Sequence, residues 1–174
     1  MKKKDQYSLA FKFLLKAYEV FYCLDIEDNE GETVGLSCTI ISQWANIIMC
    51  MDDLERMEAF AELGQYLNRM RDYYDKQKIL EKFYDCLNGK EFLKLKLDFV
   101  KEQLDYIESH DDISNREYAL EGFAKMYLEL LKKNKASKKE ISAIYKKYWK
   151  CGSIRMDFIY TCINNKEYDK ALDY

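Results

Sequence analysis

The sequence predicts an all-α protein made of about eight to nine amphipathic helices. Two observations predict this class. Proline is absent and glycine occurs only six times in 174 residues, so the residues that most often interrupt helices or shape tight β-turns are scarce. Apolar residues also recur three and four positions apart along most of the chain, which is the period of a helix buried on one face. We expect antiparallel hairpins arranged as an irregular α-solenoid or a bundle.

Length and composition favour one domain. The chain of 174 residues is 48% hydrophobic and 34% charged, which is enough to build a core and to hydrate a surface. We predict a single α-helical domain over residues 1–174, with an N-terminal helical part at about 5–109 and a second part at about 113–174. The formal charge of −3 provides no overall field that would attract nucleic acid or an anionic membrane.

The first two predicted helices cover residues 5–24 and 34–51, and an acidic loop separates them. The second helix is the most apolar stretch of the chain. It contains no charge, but five polar residues interrupt it: Ser37, Thr39, Ser42, Gln43 and Asn46. Because of these residues we predict a buried central helix and no membrane span.

Capping signals mark the helices that follow. Asp52 and Asp53 predict the start of a third helix, since an aspartate side chain accepts the free amides of a first turn. A fourth helix ends at Asn88 and Gly89, and the fifth covers residues 91–109. Two Ser-x-x-Glu sequences predict capping boxes that begin helices six and seven; they are Ser114 with Glu117 and Ser137 with Glu140.

Helix eight ends at Asn164 and Asn165, and a ninth begins at Glu167 without a capping residue after Leu172. We therefore expect that the chain is truncated at its C-terminal end. The last third also carries a specific phrase, Asn165-Lys166-Glu167-Tyr168-Asp169-Lys170-Ala171-Leu172. This order of turn, aromatic residue, charged pair and Ala-Leu resembles the start of a helix in tetratricopeptide repeats.

The order of features is also similar to the helical region that follows the SWIM zinc finger in bacterial proteins of unknown function. The matching features are an acidic loop at residues 25–32, a helix at 118–131, the pair Ile154-Arg155 and the phrase beginning at Tyr168. The zinc finger itself, a Cys-x-Cys with a later Cys-x-His, is absent. The resemblance therefore implies a helical scaffold but no metal or nucleic-acid role.

No pattern in the sequence predicts a catalytic site, a metal site or a cofactor. The acidic loop has oxygen ligands at alternate positions, Asp25, Glu27 and Asn29, but it lacks the glycine and the final glutamate of an EF-hand. Zinc sites usually contain a close cysteine pair, and the nearest two cysteines here are eleven residues apart. The only histidine, His110, lies in a polar turn, where we expect an exposed or capping role. The six cysteines lie mostly in apolar runs and are predicted to be reduced core thiols.

One segment, residues 132–150, is rich in lysine. Lysines beside aromatic residues can contact phosphates and stack on bases, so this segment predicts a candidate nucleic-acid interface. The aromatic residues Tyr145, Tyr148 and Trp149 equally fit the inward face of helix seven. The candidate contacts are Lys132, Lys133, Lys135, Lys138, Lys139, Lys146, Lys147 and Lys150.

These observations favour a non-enzymatic helical scaffold or protein-interaction module. Its partner is expected to be another protein or another domain of a longer chain, and the absence of a signal peptide predicts a cytoplasmic location. A helical nucleic-acid-binding module that uses residues 132–150 is the alternative.

Overall fold

The computed structural model describes residues 3–24 and 32–172, and this part of the chain contains nine helices and no strand. The all-α prediction is confirmed. The helices are α1 (Lys3–Tyr22), α2 (Glu32–Met49), α3 (Asp53–Arg69), α4 (Tyr73–Cys86), α5 (Lys90–Ser109), α6 (Arg116–Lys133), α7 (Lys138–Lys147), α8 (Gly152–Asn164) and α9 (Tyr168–Leu172). Three residues of the acidic loop were compared with the ligands of an EF-hand: Asp25, Glu27 and Asn29. They lie outside the described residues.

The helices form two compact units, Met1–Phe92 and Leu93–Tyr174. The prediction of a single domain, and that of a solenoid like tetratricopeptide repeats, stay predictions. In the first unit, α1 packs on α2 and α3, and α2 packs on α4. An aromatic cluster fills the space between them: Trp44 lies 6.2 Å from Phe11, 5.1 Å from Tyr18 and 5.8 Å from Phe83, measured between ring centroids.

The turn between α2 and α3 is held by one side chain that was predicted, Asp52, and by two that were not, Glu55 and Arg56. Asp52 accepts from the Glu55 amide at 3.0 Å, and the Glu55 carboxylate accepts from the Asp52 amide at 3.0 Å. This capping box confirms Asp52 as the start of α3. In addition, Arg56 donates to the carbonyls of Ile48 and Met49 at 3.0 Å, so a guanidinium satisfies the open carboxyl end of α2.

The prediction that α2 is a buried central helix is wrong. Only one face is buried, by Ile41, Trp44, Ala45 and Ile48. Thr39, Gln43 and Asn46 lie on the opposite, exposed face. These three polar residues of the apolar run therefore mark the side of α2 that faces solvent.

In the second unit, α6 packs on α7 and α8, and α8 packs on α7 and α9. The α8 helix begins without a capping side chain of its own. Glu121 of α6 supplies the cap, because its carboxylate accepts from the Ser153 amide at 2.7 Å. This hydrogen bond lowers the pKa of Glu121, since the free amides of a helix start favour a charged acceptor.

Of the two predicted capping boxes, only the second is present. Ser137 and Glu140 cap α7 reciprocally. Helix α6 instead begins after Asn115, which has a left-handed backbone (φ 53°) and makes no side-chain cap. Arg116 donates to the carbonyls of Ile107 and Glu108 at 2.9 Å. The start of α6 is thus fixed by its contact with the end of α5.

Candidate functional site

The lysine-rich segment 132–150 contains two lysines that serve the fold. Lys132 donates to Asp157 at 2.5 Å, and the Tyr145 hydroxyl donates to the same carboxylate at 2.5 Å. Burial lowers the pKa of Lys132, but hydrogen bonds of Lys132 to Asp157 and Tyr145 outweigh it, so that the pKa is raised overall. Lys132, Tyr145 and Asp157 belong to α6, α7 and α8. The two hydrogen bonds to the Asp157 carboxylate therefore join three helices of the second unit.

Lys147 is the second lysine of the segment with a structural partner. Its ammonium group donates to Glu108 at 2.8 Å and lies 5.1 Å from the centroid of the Tyr148 ring. Several lysines also lie in the last turns of helices, Lys132 and Lys133 in α6 and Lys146 with Lys147 in α7. Cations are favourable there because the helix dipole is negative at its carboxyl end.

Lys135 has a different structural role, because it takes a left-handed conformation (φ 54°) at the end of α6. The Ala136 amide donates to the Leu131 carbonyl at 3.0 Å, and the Lys135 amide donates to the Lys132 carbonyl at 3.0 Å. This is a Schellman motif. The turn after α8 repeats it at Lys166 (φ 60°).

Six lysines of the segment form no ion pair within the described residues: Lys133, Lys135, Lys138, Lys139, Lys146 and Lys150. All six are exposed. The aromatic residues between them face inward, because Tyr145 and Tyr148 are buried and the Trp149 ring packs 5.6 Å from Phe158. The segment therefore offers phosphate-binding charge but few aromatic faces for stacking on bases.

A second exposed region, on α1 and α2 of the first unit, was not predicted. An open groove of about 660 Å³ lies between the two helices. Phe13 is 72% exposed and Leu9 is 59% exposed, although Phe11 between them is only 1% exposed. We call this groove the neutral surface; its lining residues are Gln6, Leu9, Ala10, Phe13, Leu14, Gln43 and Ile47.

The neutral surface carries no formal charge. Residues 33–51 contain no acidic or basic side chain, so the exposed face of α2 is uncharged from Gly35 to Cys50. Two lysines of α1 are held by acids, since Lys12 pairs with Glu62 at 2.8 Å and Lys16 pairs with Glu19 at 2.6 Å. Depletion of charge together with exposed aromatic and aliphatic residues is the composition of an interface core.

A signal for this surface was present in the sequence. Apolar residues of α1 occupy two faces of the helix instead of one buried stripe. Leu9 and Phe13 lie along one line of the helix surface, and Phe11 and Tyr18 lie along another line on the opposite side. The first line is exposed and the second is buried.

Other candidate groups have local structural roles. His110 is partly exposed; its Nδ1 lies 2.9 Å from the Tyr106 carbonyl oxygen, and its ring stacks on Tyr106 at 3.9 Å.

All six cysteines are free. Only half of the core-thiol prediction is correct, because Cys86, Cys151 and Cys162 are buried while Cys23, Cys38 and Cys50 are exposed.

Within the described residues there is neither a cluster of metal ligands nor a helix that could span a membrane. In the ranges 3–24 and 32–172, no group of three histidine, cysteine or acidic side chains is placed to hold a metal ion. None of the helices in the same ranges combines the length and the apolar character needed to cross a bilayer. No family model, curated protein or solved structure matches the chain.

Proposed function

We propose that this protein is a non-enzymatic helical scaffold that binds another protein through the neutral surface. The observation that carries the proposal is the exposure of Phe13 and Leu9 in a groove without charge. Exposing such side chains to water is unfavourable by about 25 cal/mol for each Å². A partner that covers the exposed parts of Leu9 and Phe13 recovers this free energy.

The shape of the groove indicates what kind of partner it accepts. Gln6, Leu9, Ala10 and Phe13 lie three and four residues apart on α1, and Gln43 and Ile47 lie four apart on α2. Two helices that flank an apolar channel suit the apolar face of a third helix, which presents residues at the same spacing. We therefore propose as occupant an amphipathic helix of another protein. Since the channel is uncharged, the docking face of that helix carries aliphatic and aromatic residues and no charge.

The proposal can be tested with a displayed library of helical peptides in which only the docking face varies. We expect the enriched peptides to carry apolar residues at positions i, i+3 or i+4 and i+7, with charges only on the other face. Their binding should decrease at least tenfold in the variant Phe13→Asp. The matched control is Leu54→Asp, because Leu54 is similarly exposed but lies on α3 outside the groove.

Three results would overturn this proposal. The first is equal binding by Phe13→Asp and by the unchanged protein. The second is concentration-dependent dimerisation that Phe13→Asp abolishes, which would assign the surface to a second copy of the chain. The third is binding to neutral lipid vesicles that depends on Phe13, which would assign the surface to a membrane.

A nucleic-acid interface on residues 132–150 is the second candidate. The six exposed lysines without ion pairs are the observation in its favour. It requires that affinity for single-stranded RNA or DNA fall steeply as salt rises, because binding would release counterions from the phosphates. Lys138→Glu and Lys139→Glu should weaken that affinity, whereas binding that is absent or insensitive to salt would exclude this function.

A further inference from the structure

A second pocket in the first unit lies where α1, α2 and α4 meet. Its volume is about 270 Å³, which corresponds to about nine water molecules at about 30 Å³ each. This is smaller than the usual pocket for a nucleotide or a drug-sized ligand. Aromatic rings form much of its wall, from Tyr18, Phe21, Tyr22 and Tyr74, and the pocket also contains Asp75 and Lys78.

Asp75 is a half-buried acid without a partner in the described part of the chain. No hydrogen bond or ion pair to its carboxylate is found there. It is also not needed to cap α4, because Asp72 already accepts from the amides of Tyr74 and Asp75 at 2.8 and 3.1 Å. Burial, with a smaller effect of nearby Asp72, raises the pKa of Asp75, and the charge of Lys78 offsets this only in part. A cation placed in the pocket would relieve this cost of burying the carboxylate.

Lys78 places the opposite charge one helical turn away. Its Nζ lies 4.3 Å from the centroid of the Tyr74 ring, and a hydrogen bond to Tyr74 raises the pKa of Lys78. Acidic and basic residues three apart on a helix often pair directly, but Asp75 and Lys78 form no ion pair. The pocket thus presents a separated acid and base beside an aromatic wall.

From this arrangement we infer that the pocket binds a free α-amino acid with an aromatic or large aliphatic side chain. The ammonium group of the ligand lies at Asp75, its carboxylate lies at Lys78, and its side chain packs on Phe21 and Tyr22. We expect a zwitterion to bind better than a simple amine or a simple acid, because only a zwitterion presents an opposite charge to both Asp75 and Lys78. This inference does not depend on the proposed function, since it concerns different residues.

The test uses L-phenylalanine as the probe and NMR titration of the whole chain as the measurement. We expect saturable shifts of the Ser37, Cys38, Asp75 and Lys78 amides at millimolar concentrations or below. Two analogues that each lack one charge, phenethylamine and 3-phenylpropionate, should bind at least tenfold more weakly. L-Leucine should bind better than glycine, because glycine has no side chain to contact the aromatic wall.

Two variants assign the charges individually. Asp75→Asn should lower the affinity for L-phenylalanine at least tenfold without changing the affinity for 3-phenylpropionate. Lys78→Met should weaken L-phenylalanine equally without changing the affinity for phenethylamine. Glu81→Gln and Lys82→Met are matched controls, because both residues are exposed on α4 and lie outside the pocket. Thermal melts of each variant establish that it is folded.

The inference is overturned if neither L-phenylalanine nor L-leucine produces saturable shifts at these amides. It is also overturned if phenethylamine or 3-phenylpropionate binds as strongly as L-phenylalanine, since recognition would then involve only one charge. Shifts that map instead to Ala10 and Gln43 would place the ligand in the neutral surface and would contradict the pocket assignment.

Discussion

The neutral surface and the lysine-rich segment are both exposed, but they differ in how far the fold accounts for their residues. In residues 132–150, Lys132 joins three helices, Lys147 pairs with Glu108, and Lys135 closes a helix. In the neutral surface, Phe13 and Leu9 are exposed and make no comparable contribution. Exposed charge is ordinary in a folded protein, whereas a contiguous exposed apolar groove is not. An unusual composition therefore indicates a function only for those of its residues that have no structural role in the fold.

The largest expected effect tests whether neighbouring phenylalanines of α1 really have separate roles. Phe11→Ala should lower the free energy of unfolding by about 3–5 kcal/mol, because it removes a buried ring that contacts Trp44 and Phe83. Phe13→Ala should change it by less than about 0.5 kcal/mol, since that side chain lies mostly in water. Urea denaturation of both variants measures the two values. A loss above about 1 kcal/mol for Phe13→Ala would show that the neutral surface supports the fold.

The second prediction concerns Lys76, whose environment is opposite to that of Lys132. Lys76 is only 1% exposed, and burial lowers its pKa to about 8. Because burial disfavours the charged form of Lys76, Lys76→Met should be more stable at pH 7, relative to its own stability at pH 10, than the unchanged protein is. Lys82→Met on the exposed face of α4 is the control and should have little effect.

The same lysine gives the pH dependence of stability a definite sign. Between pH 8 and pH 10 the unfolded chain keeps a proton on Lys76 that the folded chain has released, because the pKa is lower in the folded state. The unfolding free energy of the unchanged protein should thus rise over this range. In Lys76→Met this rise should be absent. Parallel pH profiles of the two proteins, measured by urea denaturation, would contradict the assigned role of Lys76.

The last prediction tests whether Lys132 is structural. Asp157→Asn should lower the free energy of unfolding by about 2 kcal/mol, because it removes the charged acceptor shared by Lys132 and Tyr145. Lys133→Met should be nearly neutral, since Lys133 is exposed and forms no ion pair in the described residues. Guanidinium denaturation would compare the two variants. Equal effects would mean that Lys132 does not differ from its solvated neighbours.

Local signals in the sequence predicted much of the secondary structure. Asp52 and the pair Ser137 and Glu140 begin helices as expected, because a capping box is complete within four residues and needs no distant partner. Ser114 with Glu117 has the same spacing, but α6 begins after Asn115. At this later start of α6, Arg116 contacts the carboxyl end of α5.

The candidate sites were less predictable. The eight lysines were identified from composition, but the partners of Lys132 and Lys147 are 25 and 39 residues away in the chain. The pocket at Asp75 was not predicted either, because Tyr18, Cys38 and Lys78 come from three helices. Spacing along one helix can place residues on a common face, but it cannot say which face a distant helix will cover.

The sequence alone determined that this protein is helical, where several of its helices begin, and that residues 33–51 carry no charge. These properties depend on backbone propensity and on side chains within a few residues of one another. Only the tertiary structure decided that Phe11 is buried while Phe13 is exposed, that α2 leaves one face uncovered, and that Asp75 lies beside an aromatic pocket. The physical reason is that burial is set by the packing of helices distant in the chain, and apolar residues on two faces of one helix give no indication of which face will be covered.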